Sequence, residues 1–163
     1  MKLALLSDSH DNTNNLEKAV TGANSRGCEV LIHAGDLMDP QLIGDLKQFK
    51  GKVIFVFGNN DSEKEEMRQR SKNSNVIVAG DFFDGMFDNK RLYVTHYPSS
   101  AEKAFLSNSY DLVIFGHTHQ HMSETRDGKT LVNPGEIYGQ RKGYTSWAIY
   151  DTESSAVEFI EIV

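Results

Sequence analysis

At 163 residues the chain has the length of one ordinary globular domain, and we expect a single domain over residues 1–163. Its hydrophobic fraction of 39% is that of a soluble protein, and no apolar stretch approaches the roughly 18 residues of a membrane span. The net charge of -6 argues against nucleic acid as a partner, because binding its backbone needs clustered lysine and arginine. The lone Cys28 cannot form an internal disulfide, so we expect a cytoplasmic protein with no membrane association.

The first part of the chain alternates short apolar runs with helical patterns. Residues 3–6, 30–32 and 53–57 are apolar runs that predict strands. Apolar side chains recur with the spacing of one helix face over residues 16–23 and again over residues 42–49. Strands without polar alternation that are separated by helices imply a parallel sheet with right-handed crossovers.

A polar segment and then a hairpin pattern follow. Residues 62–72 place acids before bases, which favours a solvated helix over a basic substrate patch. The next predicted elements are a hairpin at 82–95 turning at Asp88-Asn89, a helix at 101–106, a strand at 112–115, a hairpin at 124–132 turning at Asp127-Gly128, and a closing pair at 144–150 and 156–162. Together the elements predict an α/β fold in which two mixed β-sheets pack as a sandwich flanked by helices, giving four layers.

Most of the predicted strands in the first three quarters of the chain end in a short polar cluster. The clusters are Ser7-Asp8-Ser9-His10, His33-Ala34-Gly35-Asp36, Gly58-Asn59-Asn60-Asp61, Thr95-His96 and Gly116-His117-Thr118-His119. Because loops at the carboxyl ends of strands converge on one crevice, we expect these clusters to meet in space. Their oxygen and imidazole donors suit Mn, Fe, Ni, Zn or Co, and the absence of cysteine excludes a structural thiolate zinc site. One such cluster alone is more often a turn or a structural histidine, but five in order favour a metal centre.

The clusters carry a resemblance to a known family. The ordered set Asp8-x-His10, Gly35-Asp36-x-x-Asp39, Gly58-Asn59-x-Asp61, His96 and Gly116-His117-x-His119 resembles the calcineurin-like metallophosphoesterase superfamily. The resemblance covers residues 8–119, and the chain length is similar to that of the small phosphodiesterases of archaea and bacteria. It implies that one metal ion is held by Asp8, His10 and His119 and a second by Asn59, His96 and His117, with Asp36 bridging the two.

The same resemblance implies a metal-dependent hydrolase of phosphate esters, most simply a phosphodiesterase with a small substrate. Its cofactors would be two divalent transition-metal ions, with manganese favoured and nickel, iron, zinc and cobalt as alternatives. A bridging carboxylate can hold two dications roughly 3.5–4 Å apart, so that a shared hydroxide becomes a nucleophile near neutral pH. The residues to which the resemblance assigns catalysis are Asp36, Asn59 and His96.

One position departs from the larger members of the superfamily, which carry histidine where this chain has Asn60. That histidine is thought to stabilise the transition state or to protonate the leaving oxygen. An asparagine amide cannot act as a general acid, so either another group does so or the enzyme favours good leaving groups such as aryl phosphodiesters. The small branch resembles this chain in lacking the histidine.

Other polar residues near the clusters have two interpretations each. Asp39 and Asp61 are equally well explained as supports for ligand histidines and as helix N-caps. His33 is equally well explained as part of the site and as a core residue satisfied by the backbone, and for His121 a surface role is favoured over substrate contact. Spacer or turn roles are expected for Ser9, Thr118 and Asn133-Pro134-Gly135.

Three alternative functions share the same fold: a phosphomonoesterase, a nuclease, and a non-catalytic scaffold similar to a retromer subunit. The scaffold is disfavoured because every ligand position matches the motif, and the nuclease because the chain is acidic and has no appended DNA-binding segment. Monoester and diester hydrolysis use the same metal pair, so the sequence leaves that choice open. The oligomeric state is also open.

Overall fold

The computed structural model describes residues 1–163, and its strands form two mixed sheets. In chain order the elements are β1 (Lys2–Leu6), α1 (Thr13–Ser25), β2 (Val30–His33), a 3₁₀ turn (Pro40–Leu42), α2 (Ile43–Leu46), β3 (Lys52–Val56), α3 (Lys64–Ser71), β4 (Val76–Gly80), β5 (Phe82–Phe87), β6 (Lys90–Thr95), α4 (Pro98–Leu106), β7 (Leu112–Ile114), β8 (Met122–Arg126), β9 (Lys129–Asn133), β10 (Ser146–Asp151) and β11 (Val157–Glu161). The first sheet has the order β11-β10-β1-β2-β3-β4, and the second has the order β5-β6-β7-β9-β8.

The core lies in three layers, which follow from the alternation of side chains along each strand. On β1, Leu3 and Leu5 point between the two sheets, whereas Ala4 and Leu6 point toward the helices that cover the first sheet. On the far side, α4 packs against the outer face of the second sheet. The order of layers is therefore helices, sheet, sheet, helix, and the predicted four-layer α/β sandwich is confirmed.

Two details of the predicted elements differ from the structure. β4 is a fourth parallel strand that the sequence pattern did not indicate, because this edge strand has only one fully buried residue and leaves Ile77 45% exposed. The helix expected over residues 42–49 is a 3₁₀ turn followed by a single turn of α2. Both predicted hairpins are present, and left-handed residues at Asp88 and Asn89 form the first turn. None of the helices has the length and hydropathy to cross a membrane.

Both sheets direct polar loops toward one end of the sandwich. Strands β1, β2 and β3 are parallel neighbours, so the loops that follow them emerge side by side. In the second sheet β6 and β7 are likewise parallel neighbours, and their loops face those of the first sheet. The first sheet contributes Asp8, His10, Asp36 and Asn59 to this end, and the second contributes His96, His117 and His119.

Candidate metal centre

The side chains singled out from the sequence come together where the loops of the two sheets meet. Ligand atoms of Asp8, His10 and His119 all lie within 4.8 Å of one another. The same holds for Asp8, Asp36 and His96, so the two groups share Asp8 and are contiguous. All of these side chains are buried.

The first group presents imidazole nitrogens toward a carboxylate. The Nε2 atom of His119 lies 3.4 Å from His10 Nε2 and 3.4 Å from Asp8 Oδ1. The other ring nitrogen, His119 Nδ1, donates a hydrogen bond to Glu136 Oε2 at 2.5 Å. Since an ionised carboxylate can only accept, the ring proton lies on Nδ1 and Nε2 presents its lone pair to the group.

The second group, around His96, also brings imidazole nitrogens and carboxylate or amide oxygens close together. In the neutral ring, His96 Nδ1 donates to the carbonyl oxygen of Ala34 at 2.8 Å and the lone pair lies on His96 Nε2; when the ring is protonated, Nε2 donates to Asp36 instead. That Nε2 atom lies 3.1 Å from Asn59 Oδ1 and 3.2 Å from His117 Nδ1. Asp36 Oδ2 is 3.4 Å from the same nitrogen. Acceptor atoms thus converge on one point, a donor set that fits a divalent metal ion.

The electrostatics of the buried cluster support the same fit. Burial raises the pKa of Asp8 to about 6. Burial alone would lower the pKa of His96, but its hydrogen bond to Asp36 and the nearby carboxylate charges outweigh burial and raise it. Both shifts favour uptake of a proton: burial makes the Asp8 anion costly, and the carboxylate charges of Asp8 and Asp36 stabilise a positive charge on His96. Bound cations would supply positive charge to the same carboxylates.

The carboxylate of Asp36 behaves differently. Burial alone would raise its pKa, but hydrogen bonds from His96 and Asn60 outweigh burial and hold the pKa well below its usual range. Asn60 donates twice, from its backbone N at 2.8 Å and from its side-chain Nδ2 at 2.7 Å. The side chain of Asn60 therefore orients this carboxylate, a role that the sequence reasoning missed.

Three of the loops share an unusual backbone form, in which residues two apart are both left-handed. The pairs are Asp8 and His10 (φ 51° and 47°), Asp36 and Met38 (59° and 69°), and His117 and His119 (69° and 60°). A non-glycine residue in this conformation costs about 1–2 kcal/mol, so surrounding contacts must hold it. Backbone bonds from Asp8 N to Gly35 O at 3.0 Å and from His10 N to Asp36 O at 2.9 Å do so for the first pair.

Close packing behind the carboxylates explains two of the motif glycines. A Cβ atom on Gly58 would lie 2.2 Å from Asp36 Oδ1, and one on Gly116 would lie 2.7 Å from Asp8 Oδ2. Both distances are too short for any side chain. The glycines therefore let the loop backbones approach the carboxylates.

Asp61 and Asp39 have different roles. Asp61 is buried and accepts hydrogen bonds from the backbone N atoms of Asp36, Met38 and Gly58 at 2.9, 2.8 and 2.7 Å. It holds the loop that carries Asp36, so it does support a proposed ligand, but it forms no hydrogen bond with a ligand histidine. The N-cap of α3 is Glu63, so the N-cap interpretation of Asp61 was wrong. Asp39 caps the 3₁₀ turn by accepting from Gln41 N at 2.8 Å, which confirms the N-cap interpretation.

The two remaining histidines are not among the converging donors. His33 is fully buried, its Nε2 lies 2.9 Å from Ser9 Oγ, and burial lowers its pKa to about 3. It is a neutral core residue, which supports the core interpretation, but its partner is a side chain rather than the backbone, so Ser9 is more than a spacer. His121 is exposed and its ring lies 4.8 Å from that of Phe159 and 4.9 Å from that of Tyr144. His33 is fully buried and neutral, so it cannot act as the missing general acid.

Glu136 and Asn133 support the centre and were not singled out as functional. Glu136 is fully buried, and besides His119 it accepts the backbone N–H groups of Arg141 and Lys142. Asn133 Nδ2 donates to Gly116 O at 2.9 Å and to Thr118 Oγ1 at 3.0 Å, which fixes the loop between the two ligand histidines. The only sequence signal for Glu136 is a carboxylate directly after the turn that was expected near the site rim.

An α/β sandwich with a buried carboxylate and imidazole cluster at its strand ends is the architecture of a metallohydrolase. The model of the calcineurin-like phosphoesterase superfamily domain matches residues 1–155, and the chain belongs to this superfamily. It is 34% identical to a phosphodiesterase of Methanocaldococcus jannaschii over 166 aligned residues, which cover 100% of this chain and 99% of the relative.

Two solved structures place the fold among known proteins. The structure of an archaeal phosphodiesterase superposes with a TM-score of 0.93 at 33% identity and covers 99% of this chain and 100% of its own. Vps29 of Entamoeba histolytica superposes with a TM-score of 0.71 over 100% of both chains, but at 14% identity it shares the fold alone.

Proposed function

We propose that this protein is a metal-dependent phosphodiesterase that hydrolyses a small phosphodiester. Membership of the superfamily and the full-length similarity to a protein named as a phosphodiesterase support the reaction class. The observation that carries the proposal is the convergence of lone pairs from His96, His119 and Asn59 beside buried carboxylates. Such a set of acceptors suits divalent cations.

The proposed centre holds two metal ions. Asp8, His10 and His119 form one ligand set, and Asn59, His96 and His117 form the other. Asp36 bridges them, a role supported by its position within 4.8 Å of Asp8 and His96. Manganese is the favoured metal by resemblance to the superfamily; the mixed set of three oxygen donors and four imidazoles leaves nickel, iron, zinc and cobalt as alternatives.

The residues of the chain prepare the site for phosphoryl chemistry. When bound, the divalent ions supply an activated water nucleophile and neutralise charge on the phosphoryl oxygens. Asp36 stays ionised because its pKa is held low, so it is ready to accept a cation. Ala34 and Glu136 fix the tautomers of His96 and His119, which keeps their Nε2 lone pairs directed into the site.

The leaving group receives no evident help from the chain. The amide of Asn60 donates to Asp36 and carries no proton that it can transfer at neutral pH. Good leaving groups such as aryl alcohols need little protonation as they depart. Aryl phosphodiesters are therefore the substrates that the site should hydrolyse fastest.

The remaining parts of the proposal concern the domain organisation, the cellular compartment and the size of the substrate. Residues 1–163 act as one domain, in the cytoplasm, on a small substrate rather than on nucleic acid. The net charge of -6 and the single cysteine support these points. A Vps29-like scaffold is a weaker candidate, because the likeness to Vps29 is one of fold.

The proposal is tested with purified protein that has been stripped of metal by a chelator. Manganese is titrated and the bound metal is counted, and then an aryl diester, an aryl monoester and an oligonucleotide are assayed. We expect two ions per chain and metal-dependent cleavage of the diester with the highest kcat/KM. A higher kcat/KM on the monoester or the oligonucleotide would favour that alternative, and no hydrolysis with any of the five metals would refute an enzymatic function.

A further inference from the structure

We propose that Met38 is an oxidation-sensitive positioning residue for the metal centre. Its thioether sulfur accepts the Nδ1 proton of His10 and so keeps the Nε2 lone pair of His10 directed into the first ligand group, and oxidation of this sulfur weakens metal binding there. The inference rests on the proposed function, because it takes His10 to be a metal ligand. Met38 occupies one of the two unspecified positions between Asp36 and Asp39, so the sequence motif does not assign it a role.

The first observation is the contact between the thioether and the imidazole. His10 Nδ1 lies 2.9 Å from Met38 Sδ. A thioether has no proton to donate, so a hydrogen bond between these atoms requires the proton on Nδ1. The other ring nitrogen, His10 Nε2, then carries the lone pair, and it lies 3.4 Å from His119 Nε2, which is also a lone-pair nitrogen. Two lone pairs that face each other across the first ligand group suit a cation between them.

Without the thioether, a different tautomer of His10 would be favoured. With its proton on Nε2, His10 would donate to His119 Nε2, and the two nitrogens would bond to each other instead of to a metal ion. Ring packing does not prevent this change. The ring of His119 lies 5.1 Å from that of His10 and the ring of Tyr138 lies 4.7 Å from it, and such ring contacts are the same for either tautomer. The contact with Met38 therefore selects the tautomer that binds metal.

The second observation is the strained backbone of Met38. Its φ of 69° is a left-handed conformation that residues with a side chain adopt only under constraint. The constraint comes from the buried carboxylate of Asp61, whose Oδ1 atom accepts the backbone N–H groups of Leu37 and Met38 at 2.8 Å each. Glycine would relieve the strain but would supply no acceptor. The strain is thus kept at a position whose side chain contacts a proposed ligand, which supports a functional role for the thioether.

The third observation is that Met38 is partly open to solvent, with 36% of its surface exposed. Hydrogen peroxide converts a thioether to a sulfoxide: an S–O bond forms, the O–O bond breaks, sulfur loses two electrons and water is released. The sulfoxide sulfur carries a partial positive charge, and a separation of 2.9 Å leaves no room for an oxygen atom between Sδ and Nδ1. The oxidised side chain therefore has to leave its position, and His10 loses the acceptor that selects its tautomer.

The test compares Met38→Leu and Met38→Gln with Met86→Leu. Leucine keeps the apolar volume of Met38 but accepts no hydrogen bond, whereas the carbonyl oxygen of glutamine accepts one. Met86 is the matched control, since it is 63% exposed and lies on the edge strand β5, which contributes no donor to the centre. NMR of the imidazole nitrogens in the metal-free protein reports the tautomer of His10, and calorimetry measures manganese binding.

We expect Met38→Leu to move the proton of His10 from Nδ1 to Nε2. It should also weaken manganese binding at one of the two sites by about 10-fold, the lower end of the range for loss of a group that orients a ligand histidine. Met38→Gln should restore both properties, and Met86→Leu should match wild type. Peroxide treatment of the metal-free protein should reproduce these changes in wild type and in Met86→Leu, and should add nothing in Met38→Leu. Methionine sulfoxide reductase should reverse the effect of peroxide.

Several outcomes would overturn the inference. An unchanged tautomer of His10 in Met38→Leu would refute the positioning role, and a loss of manganese binding when Met38→Leu is treated with peroxide would assign the sensitivity to another group. Metal binding and diester hydrolysis that Met38→Leu leaves intact would refute the inference and leave the proposed function standing. Conversely, a wild-type protein that hydrolyses no phosphate ester, while Met38→Leu still changes the tautomer and the metal affinity, would refute the proposed function and support the role of Met38.

Discussion

The loops after β1 and β2 have the same backbone form but treat their carboxylates in opposite ways. Asp8 and Asp36 both follow a buried parallel strand and are both left-handed, with φ values of 51° and 59°. Asp8 accepts a backbone hydrogen bond from His117 N, and burial dominates its pKa, which rises to about 6. Asp36 interacts with His96 and accepts two hydrogen bonds from Asn60, and together these lower its pKa despite burial. The donors and the charge directed at a buried carboxylate thus decide whether it is an anion before any cation binds.

The largest expected effect follows from removing the carboxylate of Asp36, which is ionised before any cation binds. Asp36→Ala should reduce metal-dependent hydrolysis to background, because the proposed bridge between the two ions is lost. His117→Ala should do the same through the second ligand set. Both variants should remain folded, since neither side chain belongs to the apolar core. The measurements are kcat/KM and thermal melting, with His121→Ala as a control outside the centre; wild-type activity in either variant would refute the ligand assignment.

A second test addresses the sign of the two pKa shifts. In the metal-free protein the pKa of Asp8 is raised from 3.8 to about 6, so the folded chain gains a proton relative to the unfolded chain between these values. Stability from this group is present at low pH and is lost as the pH rises through about 6, which amounts to about 3 kcal/mol. Asp8→Asn should therefore raise the free energy of unfolding by up to about 3 kcal/mol at about pH 8, and by little at about pH 4.

The paired variant for that test is Asp36→Asn. The pKa of Asp36 is depressed, so its ionised form stabilises the fold, and that contribution is lost only as the pH falls through the low folded pKa. Asp36→Asn should therefore lower the free energy of unfolding at the pH where Asp8→Asn raises it. Urea unfolding in the presence of a chelator measures both. Effects of the same sign would mean that the two carboxylates do not differ as described.

The smallest expected effect concerns Asn60, whose hydrogen bonds contribute, after His96, to the difference in pKa between Asp36 and Asp8. Wild type should hydrolyse an activated aryl diester much faster than an alkyl diester, because no general acid is placed beside the leaving oxygen. Asn60→His should help the alkyl diester most if the imidazole reaches that oxygen; general acids give roughly 10²–10⁴-fold, and about a tenth of that gain would be measurable. Asn60→Ala is the control, because it removes the bond to Asp36 without adding an acid. A leaving-group series that is already flat in wild type would show that another acid is present.

The sequence was sufficient to predict the strands whose ends form the centre. Residues 3–6, 30–32 and 53–57 are apolar without alternation, so each had to be buried on both faces, and each is followed by a polar cluster. Parallel neighbours deliver such clusters to one edge, and the side chains of Asp8 and Asp36 do lie together. Periodicity and strand order thus carry most of the information about where the donors meet.

The supporting contacts could not be predicted in the same way. Glu136 contacts His119 from the far side of the β8–β9 hairpin, in the turn that follows β9, and Asp61 accepts the backbone N–H of Asp36, 25 positions away. Such bonds depend on the exact course of left-handed loops, for which a sequence pattern gives no signal. The edge strand β4 was missed for a related reason, since an exposed edge needs few apolar residues.

The division of the donors between the two sheets has a consequence for thermal stability. His10 and His119 are separated by 109 positions, and Asn59 and His96 by 37, yet each pair lies side by side at the same end of the sandwich. Ions shared by both sheets would act as cross-links between distant segments, present only while the chain is folded. Mass action then adds about 2.7 kcal/mol per ion at a free concentration of 100 times Kd. Heating and removal of metal by a chelator would both weaken the contact between the two sheets at the metal centre. The melting temperature would therefore report metal occupancy.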